Sequence, residues 1–475
     1  MVGVGGRSKA CGNCRQRRVK CDLSTPQCKR CIKRGLLCGG RRDITIVRYD
    51  GPQRHESSSV PSAASGLRPT DENRPAAYEA SIVHCGPLLL DNIKLSVDYD
   101  TVFAMYTLSR LLATGTVGAV YAGVPQSLTG KCFAALSTTY FGIQNMDRSI
   151  ALQGFRRYSR ALTELNQILD GPQVSPSFDI LEAVGIMAFF EFLFAENEGG
   201  WITHSRGLER LLELRGPEAA TSPSCLLILE RSRRPIVLAA LLSHRRTILS
   251  KPEWKELPWL AHPERKDSMA FLVDIMADCA ELFVLRDGAR SNITEDIELT
   301  STCNILNTAY RILHDLERWE EAHSPTSPSC CTQIPSPHTA PMILDSNGQA
   351  TPLWPTVIQF NSNHQAKTTT LYYSTLVLVL RFILGITSAT GGQSDHETLQ
   401  ERVQSAGIVI CRTIDYHTNQ VLERSDRSFL LFPLRMASVA IGDTNSSVGL
   451  WLETISETIS PGTYGSASTT YLPAR

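Results

Sequence analysis

CGNCRQRRVKCDLSTPQCKRCIKRGLLC, residues 11–38, decides how this chain is read. Cys-x2-Cys-x6-Cys occurs twice in it, joined by six residues. Zinc prefers four tetrahedral ligands, and a Cys-x2-Cys pair can grip one ion from a single turn. Six thiolates serve two such ions only if two are shared. The repeat symmetry makes the first cysteine of each half, Cys11 and Cys28, the bridges. One metal then takes Cys11, Cys14, Cys21 and Cys28, and the other takes Cys28, Cys31, Cys38 and Cys11. A module this short has too little core to fold alone, so zinc must supply most of its folding energy.

A disulfide knot and a zinc knob without DNA binding are the alternatives. Met1 to Ala10 is expected to be a flexible leader, without the apolar stretch of an export signal, which argues against disulfides. What lies between the cysteines argues against a bare knob. Arg15, Arg17, Arg18 and Lys20 follow Cys14, and Lys29, Arg30, Lys33 and Arg34 stand in the second repeat. The whole chain is formally neutral, yet residues 1–55 hold 14 Lys and Arg against 3 Asp and Glu. The remainder therefore holds 33 against 44, an acidic body behind a basic head. Basic side chains on a short helix pinned by thiolates can meet phosphates, and one or two at its end can reach guanine edges. Double-stranded DNA is the partner this charge distribution fits.

The segment resembles the fungal binuclear zinc cluster. All six cysteine spacings match, as do the basic run, Lys20-Cys21-Asp22, and Pro26 two residues before Cys28. The resemblance implies a nuclear transcription regulator with two zinc ions per chain. Its first basic helix would lie in the major groove and read a CGG-type triplet. By position, Arg17 and Arg18 would read bases, while Arg15 and Lys20 would hold phosphates.

The module should occupy residues 11–42 and be followed by a disordered linker over 43–80, where Ser, Pro, Gly and charge dominate. An all-α domain is expected over 81–475. Phe103, Tyr106, Leu108 and Leu111 fall at helical spacing, as do Leu152, Phe155, Tyr158, Leu162, Leu165 and Leu169. Further periodic stretches cover about 178–195, 201–214, 225–249, 268–286, 295–319, 364–388, 397–424, 427–441 and 448–458. Residues 324–341 are Ser, Thr or Pro at 12 of 18 positions, which predicts a disordered loop within 320–356. No membrane span is expected: Leu371 to Ala389 is apolar but carries Arg381, at a cost of roughly 2.5–3.5 kcal/mol in a bilayer.

The body resembles the fungal-specific transcription factor domain more loosely. The similar blocks are Trp201-x2-His204-x2-Gly207 with Arg215-Gly216-Pro217, Arg245 to Leu249 before Trp254 and Trp259, and Phe432-Pro433-Leu434-Arg435. Read from the residues alone, these are packing positions, His204 included. An enzyme or scaffold carrying an accessory zinc module is the competing class. Against an enzyme, there is no His-Glu-x2-His, no Gly-x-Ser-x-Gly and no phosphate-binding glycine loop after a strand. Against RNA binding, residues 9–42 hold no aromatic for base stacking. The expected partners are CGG-type DNA and the transcription machinery. The subgroup resemblance further implies control of a secondary-metabolite gene cluster. No heptad pattern follows Cys38, so a single triplet and a homodimer formed through the body both stay open.

Overall fold

A computed structural model describes residues 14, 19–22, 29–34, 98–112, 126–171, 176–194, 199–291, 295–336, 342–344, 350–389, 396–419, 429–442 and 446–459. They divide into two units, one within Met1–Asn92 and one within Ile93–Arg475. The leader at 1–10 and the linker at 43–80 lie outside the described residues. In the first unit a short helix, α1, spans Lys29–Ile32.

The second unit is a stack of helices. α2 (Tyr99–Arg110) leads to a helical hairpin of α3 (Leu128–Gln144) and α4 (Arg148–Leu169). Asp147 ends the hairpin turn by accepting the N–H groups of Ser149 and Ile150, which caps α4. Two glycines let the helices touch: a Cβ on Gly142 would lie 2.3 Å from the Ala151 nitrogen, and one on Gly154 2.5 Å from the Thr139 nitrogen. α5 (Phe178–Phe194) caps α3 from outside the hairpin, since Asp179 accepts the N–H groups of Leu128 and Thr129, each at 3.0 Å.

α6 (Gly199–Arg215) stops at Gly216, whose φ of 81° suits a residue without Cβ, before Pro217. α7 (Pro223–Leu242) ends at Ser243 and His244, where φ turns positive at 48°. The periodicity expected over 225–249 therefore breaks here. Its last residues form a 3-10 turn at Ile248–Ser250 and lead into α8 (Pro252–Glu256). α9 (Ser268–Ser291) and α10 (Glu295–His323) follow, and after the strands come α11 (Asn363–Ala389), α12 (His396–Asn419), α13 (Leu431–Ile441) and α14 (Ser447–Ile459). One continuous apolar core runs through these helices. α11 is long and apolar enough to cross a membrane, yet most of that stretch is buried against its neighbours, with Arg381 exposed.

The expected disordered loop over 320–356 needs correction, because short strands stand there in a body that is otherwise helical as expected. α10 continues to His323, β1 (Cys331–Pro335) pairs antiparallel with β4 (Thr356–Phe360), and β2 (Met342–Leu344) pairs with β3 (Ala350–Pro352). Tertiary support explains the outer pair. Arg412 on α12 donates to the Thr356 carbonyl and to Gln333 Oε1, both at 2.8 Å, so one guanidinium spans both strands. Val357, Ile358 and Phe360 are buried beneath.

The blocks singled out in the body meet one another. Glu209 on α6 is buried; its carboxylate accepts the Ile248 N–H at 2.9 Å and faces the Arg245 guanidinium at 3.3 Å. Trp254 and Trp259 are buried packing aromatics. Arg233 forms a buried ion pair with Asp274, which also meets Lys266 at 2.9 Å. His204 Nε2 lies 3.0 Å from the Tyr158 hydroxyl, which itself donates to Glu191 Oε1 at 2.6 Å. With the hydroxyl's single proton given to Glu191, the tautomer protonated at Nε2 suits this contact. Burial lowers the His204 pKa against the opposing pull of Glu191. His204 is a half-buried histidine with a protein partner at Nε2.

Candidate nucleic-acid interface

The described part of the head is small and specific. Cys14 and Cys31, equivalent positions in the two repeats, are 3% and 1% exposed and share one cluster, with Val19 and Cys21 packed against it. Cys14 is helical, and its carbonyl accepts the Val19 N–H at 3.0 Å. In the second repeat Lys33 N–H bonds the Lys29 carbonyl at 2.9 Å, and Arg34 N–H bonds that of Cys31 at 3.1 Å. Around these buried thiols Lys20, Lys29, Arg30, Lys33 and Arg34 are all exposed. Sulfur donors inside and cations outside suit a thiolate-bound metal core beneath a polyanion-binding surface.

Asp22 joins the two repeats. Its Oδ1 accepts the Lys29 N–H at 3.2 Å and its Oδ2 the Arg30 N–H at 3.1 Å. A carboxylate here occupies the orphan donors at the start of α1 and fixes where the second repeat's helix begins. In the sequence it stood only as the last residue of Lys20-Cys21-Asp22. Its partners are seven and eight residues away along the chain, a separation that no local spacing rule connects.

Of the expected metal ligands, Cys14, Cys21 and Cys31 are described, and Cys11, Cys28 and Cys38 lie outside the described residues. Of the expected DNA contacts, Lys20 is described and exposed, while Arg15, Arg17 and Arg18 lie outside. Among the described residues no three or more His, Cys, Asp or Glu side chains gather as a metal site. The shared-ligand scheme accommodates this, because Cys14 and Cys21 belong to one set and Cys31 to the other. When bound, zinc would supply tetrahedral cross-links holding the two half-repeats together.

Buried thiols beneath exposed bases, with a second unit built of helices, fit the class of transcription regulators. Comparison with protein families makes this specific. Residues 9–45 match the fungal Zn(2)-Cys(6) binuclear cluster domain, which binds two zinc ions, and residues 126–470 match the fungal specific transcription factor domain. The second match covers most of the chain, and the chain belongs to this family of fungal zinc-cluster transcription factors. An uncharacterized protein of Emericella nidulans is 27% identical over 135 residues, 28% of this chain and 29% of that one. Arginine metabolism regulation protein II of Saccharomyces cerevisiae is 46% identical over 59 residues, 12% of this chain and 6% of that one. The chain thus spans less than a third of either relative in alignment. No solved structure matches.

Proposed function

We propose that this chain is a nuclear regulator that binds CGG-type sites in double-stranded DNA through its zinc cluster. Cys11, Cys14, Cys21, Cys28, Cys31 and Cys38 hold two zinc ions, with Cys11 and Cys28 shared. Arg17 and Arg18 read guanine edges, and Arg15 and Lys20 hold phosphates. The observation that carries this reading is the pair of buried, symmetry-related thiols of Cys14 and Cys31 beneath five exposed bases. The regulated genes form a secondary-metabolite biosynthetic cluster; genome-wide mapping of bound sites that fell elsewhere would remove that part alone.

Competition between matched and mismatched duplexes tests base reading. A bidentate Arg–guanine pair contributes roughly 1–3 kcal/mol of discrimination, whereas a phosphate contact adds affinity without preference. Arg18→Ala should therefore flatten the preference for CGG while zinc content stays at the wild-type level. Lys20→Ala should weaken both duplexes together and reduce the salt slope by about one. Uniform weakening by Arg18→Ala, with the preference intact, would move Arg18 to the phosphate contacts.

A further inference from the structure

The body is acidic, yet one of its helices turns a basic face outward. In α4 the buried residues Ala151, Gly154, Tyr158, Ala161 and Leu165 define the inner side. At 3.6 residues per turn, Arg156 stands opposite the centre of that side, with Arg148 and Arg160 flanking it inside an arc of about 120°. All three arginines are exposed, and no carboxylate partners any of them among the described residues. The acids nearby are already engaged: Asp147 caps α4, Asp100 pairs with Arg157 at 2.8 Å, and Glu164 pairs with Lys131 at 2.7 Å. The outward arc itself contains no acidic residue.

The geometry points to this face of α4 as a second, sequence-independent contact for the DNA phosphate backbone, an inference that rests on the DNA-binding reading above. Arg148 to Arg160 spans about 18 Å along the helix, the length of roughly five phosphates of one strand at ~3.4 Å each. Gln153, exposed at the edge of the arc beyond Arg160, is another side chain of the phosphate-contacting type. Leu152 is the arc's one apolar residue in that span, at 43% exposure, so the face offers no groove for an amphipathic acidic peptide. The sequence places 60 residues between Cys38 and Tyr99, a contour of at most about 200 Å. That length lets both contacts fall on one duplex.

The experiment uses full-length, zinc-loaded protein and a 30-base-pair-class duplex carrying the cognate triplet, titrated across salt. Arg148→Gln, Arg156→Gln and Arg160→Gln together should lower the steepness of log K against log salt by about 2–3, at about 0.9 per phosphate. Between 50 and 200 mM salt the wild type should accordingly lose about 40-fold more affinity than the triple variant. Matched and mismatched duplexes should change alike. Arg156→Gln alone, the mildest surface change, should lower the slope by about one and guards against misfolding of the triple variant. Equal slopes in wild type and both variants, with the wild type still binding, would overturn this contact and leave the zinc-cluster reading standing. A wild type that bound no DNA would overturn both. Arginine-dependent capture of poly-glutamate with an unchanged DNA slope would assign the face to an acidic polypeptide instead.

Discussion

Gly154→Ala and Gly207→Ala add the same methyl group to two helices of the body, and their effects should have opposite signs. A Cβ on Gly154 would lie 2.1 Å from Thr139 Oγ1, 2.5 Å from its nitrogen and 2.8 Å from its Cα. Ordinary contact begins near 3.4 Å, so α3 and α4 would have to separate by about an ångström. Thr139 is itself fully buried and its hydroxyl is bound to the Ala135 carbonyl at 2.9 Å, which leaves no rotamer to yield. Overpacking of this kind costs about 1–3 kcal/mol. Gly207 lies exposed in the middle of α6 with nothing within 4 Å of its would-be Cβ. There alanine should stabilise by about 0.5–1 kcal/mol, because glycine loses more backbone freedom on folding. The two variants should therefore differ by about 1.5–4 kcal/mol, or about 0.5–1.3 M in urea midpoint at a slope of about 3 kcal/mol/M. All six tryptophans lie beyond residue 200, so intrinsic fluorescence reports the body alone. A Gly154→Ala midpoint equal to or above the wild type's would refute the close approach of α3 and α4.

Cys28→Ser should lose both zinc ions, whereas Cys14→Ser should lose one first; elemental analysis showing one zinc per wild-type chain would defeat the shared-ligand scheme. Asp22→Ala should cost about 1 kcal/mol of cap stability, seen as roughly fivefold easier zinc removal by a chelator, with Asp22→Asn intermediate; unchanged removal would deny Asp22 its joining role. Asp274→Ala leaves the buried Arg233 charge and that of Lys266 without this partner and should destabilise the body by about 3–5 kcal/mol, while Arg233→Met, Lys266→Met and Asp274→Leu together should cost far less by the same unfolding assay. Burial raises the Asp179 carboxyl, but hydrogen bonds from Thr129 and Leu128 outweigh it and hold the pKa below the ordinary value. That carboxylate contributes its stability fully above about pH 4 and loses it as pH falls through the depressed folded value. Asp179→Asn should therefore shallow the acid limb of a stability–pH profile; identical limbs would remove Asp179 from that account.

The six proposed zinc ligands could be named from the sequence because thiolate spacing is a local property, carried by neighbours along the chain. The amphipathic helices were legible for a similar reason, and the stripes expected over 268–286 and 295–319 became α9 and α10. α3 was not. Twelve of its 17 residues are buried, among them Thr138, Thr139 and Ser137, so no polar face alternates with an apolar one to betray the helix. The strands between Cys331 and Phe360 were hidden differently. Their Ser, Thr and Pro content reads as loop, and what orders β1 against β4 is Arg412, about 56 residues beyond Thr356. Asp22 adds a further difficulty, since its partners lie seven and eight residues away and the bonds go to backbone groups that sequence does not distinguish.

The buried carboxylate of Glu209 has a consequence for how this domain can diverge. Its two oxygens serve a backbone N–H at Ile248 and a guanidinium at Arg245, nearly forty positions away. A lineage that replaced the acid by an apolar residue would strand an amide proton inside the protein, at about 1–3 kcal/mol. Neither half can drift alone, so substitutions at 209 should be inherited together with rebuilding of the turn at 245–249. Aligned relatives that lack the acid while keeping that turn unaltered would show that this pair evolves independently.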